Sequence, residues 1–507
     1  MPDLLSVLIV VLYFGVVGAL FVYGLNCFYL TYVAWRKRDA RSSPPPPAVS
    51  AWPRVTVQLP IYNELYVAER LIRTVAQLDY PAGLLEIQVL DDSTDETVEV
   101  VRAAVERLRA QGVNIVLLHR PHRDGFKAGA LADGLTRAHG EFVAIFDADF
   151  IPSPDFLKQT LPYFQDQRLA FVQARWEHVN RGDSLLTALQ SLALDAHFMV
   201  EQFARCYGGY CFNFNGTAGV WRRAALEDAG GWAADTLAED LDLSYRVFLR
   251  GWRGLYLRDV EVPGELPVGF TAYRRQQQRW ARGYMECAHK LLPQVWRAPI
   301  PLKQKVVATL HLTCYAVHLL LCALAVLYPA MLYVFLRAPG LQASFAVFVL
   351  FNVTTFAPLA FFMVAQRQLG RRAWQVLPLI FFMMAFGAGM MLNTVRAALN
   401  VMRGRRGEFE RTPKYGLERQ RQAWGRERYQ MRSDPIVFYE IAFALFNFGT
   451  VAFALWLGNW TIAMYATLFG VGLLFTSGLT LAQTLAVQRL RARSAAPPLP
   501  VQTSAGD

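Results

Sequence analysis

The chain has 507 residues, enough for two or three domains, and 54% of them are hydrophobic against 18% charged. With that balance, much of the chain must lie somewhere other than water. The net charge of +11 sits in basic residues beside apolar spans, which points to a cytoplasmic membrane face and away from nucleic acid. Of the six cysteines, Cys27, Cys314 and Cys322 fall in apolar runs, while Cys206, Cys211 and Cys287 do not. No pair has CxxC spacing, so we expect neither a zinc site nor a disulfide framework.

In chain order, the first feature is an apolar run from Leu4 to Val33 that ends in Trp35-Arg36-Lys37-Arg38. It exceeds the roughly 20 residues that cross a bilayer, and it outlasts a signal-peptide core of about 7–15 residues. Its positive flank is C-terminal. Residues 1–35 therefore read as an uncleaved span with its N-terminus outside and Arg36–Arg38 in the cytoplasm. A basic, proline-rich linker follows over 36–53, stiffened by Pro44 to Pro47.

Residues 54–300 change character. Val55–Ile61, Glu86–Leu90, Asn114–Leu118 and Phe142–Phe146 read as strands, with helices at Val67–Leu78, Glu96–Ala110 and Ala128–Ala138 between them. The alternation predicts an α/β domain with a parallel sheet. Asp91 and Asp147 each fall just past the C-terminal end of a strand, where open α/β sheets bind ligands.

Apolar runs return over 301–400 and 434–488. Val306–Leu336, Phe345–Ala365, Ile436–Leu457 and Trp460–Val487 read as spans, and Trp374–Leu399 is long enough to be another. The loop over 401–433 holds ten cations, Arg403 to Arg432, against four glutamates. If Trp374–Leu399 crossed, that loop and the arginines of the 489–507 tail would face outward, against positive-inside bias. We therefore expect this segment to lie in the membrane without crossing, broken near Gly387 and Gly389. His311 and His318, seven residues apart on one face of a span, read either as functional groups or as interface anchors.

Four acidic or basic motifs punctuate the soluble stretch. Asp91 and Asp92 can accept hydrogen bonds from a base or ribose, although an Asx-turn or helix cap would use the same residues. Asp147-Ala148-Asp149 puts two hard oxygen ligands on one tight strand end between apolar neighbours, which suits Mg²⁺ or Mn²⁺ bridging a diphosphate. Glu239-Asp240 opens a helix, where the N-terminal dipole helps hold a carboxylate ionised as a general base. Gln276, Arg279 and Trp280 share one helical face at i, i+3 and i+4. There, arginine can grip phosphate bidentately and tryptophan can stack on a sugar ring. Lys127, at a helix start after a flexible basic loop, can add a diphosphate contact.

Taken in order, these segments resemble family 2 inverting membrane glycosyltransferases, the group that includes cellulose, mannan, hyaluronan and poly-N-acetylglucosamine synthases. The resemblance rests on QLPIYNE (Gln58–Glu64), VLDDSTDET (Val89–Thr97), GFKAGAL (Gly125–Leu131), FDADFIP (Phe146–Pro152), FNGTAGVWR (Phe214–Arg222), AEDLDLSYR (Ala238–Arg246) and QQQRW (Gln276–Trp280). It is nearest to plant cellulose-synthase-like mannan and glucan synthases and their bacterial relatives. It implies a GT-A, Rossmann-like cytoplasmic domain inserted between transmembrane helices of a polytopic protein in a bacterial inner or plasma membrane. Asp240 would be the base with Glu239 beside it. Asp91, Asp92, Lys127, Asp147, Gln276 and Arg279 would hold the donor, Asp147 and Asp149 the metal, and Trp280 the acceptor. Phe409, Thr412 and Lys414 match an FxVTxK gating loop in which Arg411 replaces valine and Pro413 adds stiffness. Ala238 replaces the threonine of the usual TED.

The implied activity is transfer of a sugar from a UDP- or GDP-sugar to a growing β-linked polysaccharide, coupled to its passage through the membrane. The alternative is transfer to a membrane lipid. Both involve membrane lipids, neither involves nucleic acid, and no cyclic-dinucleotide receptor domain is expected after Val487.

Overall fold

The computed structural model describes residues 3–38, 49, 51–338, 352–404, 407, 409–416 and 434–495. The proline run of the linker, the first part of Phe345–Ala365, most of the basic loop and the end of the tail lie outside the described residues.

Alternation of apolar side chains builds the sheet. In β1 (Val55–Ile61), Val55, Val57, Leu59 and Ile61 all enter the core on one face. In β4 (Phe142–Ile145), Phe142 and Ala144 join that same core, while Val143 and Ile145 enter the core on the other face. Successive side chains of a strand point to opposite faces, so both faces must be covered. Helices Ala68–Val75 and Thr97–Ala110 cover the first face, and Phe126–Arg137 contributes to the second. The second core runs on to Leu30, Phe362 and Ile380 of the apolar helices, so the soluble domain and the membrane-type helices share one apolar interior.

The sheet has seven strands in the order β3-β2-β1-β4-β6-β5-β7. β2 (Leu85–Asp91) and β3 (Ile115–His119) complete the parallel half with β1 and β4. The parallel sheet that the alternation predicts is confined to β1 to β4. β6 (Gly219–Arg222) runs antiparallel to both β4 and β5 (Leu169–His178), and β7 (Arg253–Gly264) pairs parallel with β5. The sheet is therefore mixed.

Among the described residues, five helices are long and apolar enough to cross a membrane: Leu4–Arg36, Ala316–Arg337, Trp374–Met402, Ile436–Trp456 and Trp460–Arg489. The expected span Val306–Leu336 is split. One helix ends at Leu312 and the next begins at Ala316, and the turn between them reaches the site described below. Trp374–Met402 is interrupted at Met390. Gly389 serves close packing there, because a Cβ on it would collide with the Gly472 carbonyl of the Trp460–Ala495 helix.

Candidate active site

Among the described residues, three non-glycine residues adopt left-handed backbone, Asn63, Phe126 and Ala218. They flank Glu64, Lys127 and the Gly216-Thr217 turn. Such strain persists only where the surroundings enforce it, and it clusters at working sites. These segments meet at the C-terminal ends of β1 and β4 around a cavity of about 490 Å³.

The cavity is lined by Asp92, Lys127, Asp147, Asp149, Glu239, Asp240, Gln276, Arg279, Trp280, Phe409, Thr412 and Lys414. Asp91, the remaining residue singled out in the sequence, is fully buried behind the wall. Its Oδ1 accepts from the Ser93 amide at 3.1 Å, and its Oδ2 meets His119 Nδ1 at 2.8 Å. Asp92 is gripped at both oxygens by Arg120, at 2.7 and 2.6 Å.

At the end of β4, Lys127 Nζ donates to Asp147 Oδ1 at 2.6 Å and to the Gly216 carbonyl at 2.9 Å, and lies 4.0 Å from Glu239. Burial works against the ammonium, but Asp147, Glu239 and Asp240 outweigh it and raise its pKa. Asp149 Oδ2 accepts from Lys414 Nζ at 2.7 Å and from the Glu265 amide at 3.0 Å. Among the described residues, no cluster of three or more His, Cys, Asp or Glu could hold a metal by itself. Asp147 and Asp149 remain the paired carboxylates on this strand end.

Glu239 and Asp240 form the first turn of helix Glu239–Leu249. Burial, then the neighbouring Glu239 charge, pushes the Asp240 carboxyl up to about 7, with Lys127 opposing. Gly216 makes this approach feasible. Its φ is +80°, and a Cβ there would lie 3.1 Å from Asp240 Oδ2 and 3.3 Å from Lys127 Nζ.

Arg279, on helix Phe270–Arg297, stacks its guanidinium 4.2 Å from the Phe409 ring centre, and its Nε has no partner among the described residues. Arg123 stacks at 3.5 Å on Tyr62, lies 5.7 Å from the Phe409 ring and donates to the Phe409 carbonyl at 3.1 Å. Phe409 thus brings two guanidinium groups together over the cavity. The segment behind it is clasped by Glu265, which accepts from the amides of Tyr415 and Gly416 at 2.8 and 2.9 Å. Arg411 pairs with Glu64 at 2.8 Å, and burial pushes the Glu64 carboxyl up to about 8, Asp149 adding to it and Arg411 opposing.

Sequence reasoning named neither Glu64, Arg123, Gly216 nor Glu265 as a site residue. Glu64 and Gly216 stand inside segments quoted for the resemblance, so their signal was present. Arg120 and Arg123 fell in a stretch recognised only as a flexible basic loop.

Comparison with known proteins agrees with this architecture. A family profile described as "Glycosyltransferase like family 2" matches residues 53–283. Glucomannan 4-beta-mannosyltransferase 1 of Oryza sativa subsp. japonica is 46% identical over 253 residues, 49% of this chain and 49% of the relative. Glucomannan 4-beta-mannosyltransferase 2 of Arabidopsis thaliana is 44% identical over 279 residues, 53% of this chain and 52% of the relative. The chain thus spans about half the length of the curated relatives it matches. In three dimensions, a mannosyltransferase from Pyrobaculum calidifontis, solved with GDP-Man and Mn²⁺, superposes with a TM-score of 0.50 at 22% identity, covering 80% of this chain and all of that one; this likeness concerns the fold. Residues 53–283 are thus similar to family 2 glycosyltransferases, on a mixed sheet with a Rossmann-like GT-A core flanked by helices of membrane-spanning length.

Proposed function

We propose that the chain transfers a sugar, with inversion, from a nucleotide-diphosphate donor to a β-linked polysaccharide. The observation that carries this reading is the convergence of Asp240, Lys127, Arg279 and the Asp147–Asp149 pair on one cavity within the stretch that matches family 2 glycosyltransferases. The names of its relatives favour a mannosyl donor, and the ligand of the archaeal neighbour favours a guanosine diphosphate carrier.

In this mechanism Asp240 takes the proton of an acceptor hydroxyl as the oxygen attacks the anomeric carbon. The bond from that carbon to the diphosphate breaks, and its electron pair leaves with the diphosphate. Lys127 and Arg279 meet that leaving charge. A single displacement needs one base, unlike the two carboxylates of glycosidases. Trp280 supplies a flat floor for the acceptor ring, and the Phe409–Lys414 segment covers the donor. Asp91, with both oxygens occupied, acts by holding the Ser93 turn.

Asp147 and Asp149 would hold Mg²⁺ or Mn²⁺. Two carboxylates with substrate phosphates and water suit such hard cations, which seldom need a full protein cage. When bound, the metal would supply Lewis-acid stabilisation of the diphosphate. We further read the domain as lying on the cytoplasmic side, against the lipids of the bilayer.

The test is nucleotide release by purified chain in detergent with Mg²⁺ or Mn²⁺ and a panel of UDP- and GDP-sugars. Release of one nucleotide, lost in Asp240→Asn, is expected. No release from any donor would overturn the reading.

A further inference from the structure

A second part of the cavity wall is polar, almost free of cations, and unused by the steps above. Residues His197–Gln202 wind as a π-helix between helices Leu185–Ala196 and Phe203–Gly208. Such turns are rare and recur where side chains must be aimed at a site. This one brings His197 and Glu201 to the cavity. His197 Nδ1 meets Glu201 Oε2 at 3.0 Å, and its Nε2 faces Asn215 Oδ1 at 3.3 Å. Glu201 is held in turn by the buried Arg205 at 2.7 Å. Asn213 Nδ2 donates to the same Asn215 Oδ1 at 2.9 Å.

The backbone of this loop is tied down at three points. The Asn213 carbonyl accepts from Gln202 Nε2 at 2.6 Å, the Phe214 amide donates to Ser244 Oγ at 2.9 Å, and the Asn215 amide donates to Gln173 Oε1 at 2.8 Å. The side chains have atoms left over. Asn213 Oδ1, an acceptor, and Asn215 Nδ2, a donor, have no partner among the described residues. The same holds for Trp176 Nε1 and His178 Nε2 at the end of β5. All four residues line the cavity, and Asn213 is only 5% exposed. Buried polar atoms left unpaired cost stability, so a fixed set of them facing one cavity calls for a ligand that pairs them.

The chemistry of that ligand follows from the set. A phosphate would want cations here, and an acyl chain would want an unbroken apolar wall. A pyranose offers adjacent hydroxyls, each both donor and acceptor, and C–H faces that lie on rings such as Trp176 and Phe198. The position fits as well. Asn215 directly precedes Gly216, where an added Cβ would lie 3.1 Å from Asp240 Oδ2, so the wall adjoins the base.

We propose that this wall is a hydroxyl-reading subsite for the acceptor saccharide. Asn213 and Asn215 are its specificity-determining residues, and the His197–Glu201–Arg205 array positions them. The proposal rests on the glycosyltransferase reading above, and binding measured without donor separates the two. The full chain in detergent is titrated with β-1,4-linked mannotetraose and cellotetraose, following tryptophan fluorescence, and separately with GDP and UDP. Asn213→Ala and Asn215→Ala should weaken saccharide binding about tenfold or more, with nucleotide affinity unchanged. If Asn213→Ala also loses nucleotide affinity and so has misfolded, the near-isosteric Asn215→Asp, which exchanges the donor for a carboxylate oxygen, carries the test. Binding of a β-mannosyl lipid instead, lost in the same variants, supports the subsite and assigns the acceptor to lipid. Unchanged saccharide affinity in folded variants overturns it, as does a parent that binds no saccharide while still releasing nucleotide. Saccharide binding lost in these variants, in a chain that consumes no donor, leaves the subsite standing and removes the transferase reading.

Discussion

At the residue scale, Asp240 and its glycine neighbour decide most. A general base contributes about 10²–10⁴-fold, so Asp240→Asn should lower turnover by that range. Because burial and Glu239 push the Asp240 carboxyl up to about 7, the ionised, working form dominates only above that pH. Activity should therefore rise through pH 7 along a single-proton limb that is absent from variants at this position. The stability consequence has the opposite sense. A carboxyl whose folded pKa is raised holds its proton better in the folded chain, so its contribution is full below the unfolded value of 3.8 and lost as pH rises through about 7. Asp240→Asn should consequently unfold at a higher temperature than the parent at pH 8, and by much less of a margin at pH 5; equal margins at both would place the strain elsewhere. Gly216→Ala adds a methyl 3.1 Å from Asp240 Oδ2 at a φ of +80°. At roughly 1–2 kcal/mol for an L side chain in left-handed backbone, the fold should survive. Turnover should fall more than tenfold, read as kcat beside an unfolding transition that stays cooperative and is only modestly lowered.

At the element scale, two connections set the geometry. Helix Phe270–Arg297, which carries Gln276, Arg279 and Trp280, is anchored by Arg274, fully buried and paired at 2.9 Å with the equally buried Glu440 of helix Ile436–Trp456. Asn393 donates to the Arg274 carbonyl at 3.0 Å from a third helix. Removing one partner strands a buried charge and costs about 3–5 kcal/mol, whereas replacing both with apolar residues can be near neutral. Arg274→Met should thus destabilise far more than Arg274→Met/Glu440→Leu, measured by thermal unfolding in detergent. The second connection is the clasp of the Glu265 carboxylate on the Tyr415 and Gly416 amides. Glu265→Ala should speed tryptic cleavage after Lys414 and raise donor KM by about tenfold, with kcat less affected.

What was legible in the sequence follows the same elements. β1, β2 and β4 stood out because they are largely buried on both faces, and β3 because it is apolar from Ile115 to Leu118, which writes continuous apolar runs of strand length. β6 has four residues and β7 mixes the exposed Arg253, Asp259 and Glu261 with the buried Tyr256, Leu257 and Val262, so neither offered a run to recognise, and the antiparallel insertion went unseen. The π-helix has no pattern distinct from the α-helices around it. The acids of the site were legible because they sit at strand ends and helix starts. Their partners were not: Arg120 reaches Asp92 across 28 residues, and Lys414 reaches Asp149 across 265, separations that only the fold closes.

At the scale of the whole molecule, the course of Trp374–Met402 decides how the site meets the membrane. Length and composition allow it to cross. Both of its flanks, however, are tied to the catalytic domain. Arg371 pairs with Asp195 at 2.8 Å, and Arg396 donates to Gln278 Oε1 at 2.8 Å. We propose that the segment enters and leaves on one side. Single cysteines at positions 372 and 404 in an otherwise cysteine-free chain should then label with the same sidedness in sealed vesicles; opposite sidedness would make it a full crossing.

The central claim is that this cavity builds a β-linked polysaccharide. The most direct test is to supply the reconstituted chain with Mg²⁺ or Mn²⁺ and radiolabelled GDP-mannose or UDP-glucose, then to separate solvent-extractable lipid from high-mass polymer. Label in a polymer that a β-mannanase or β-glucanase degrades, absent in Asp240→Asn, is the predicted result. Label confined to the lipid fraction would contradict the polysaccharide account and make the chain a glycolipid transferase.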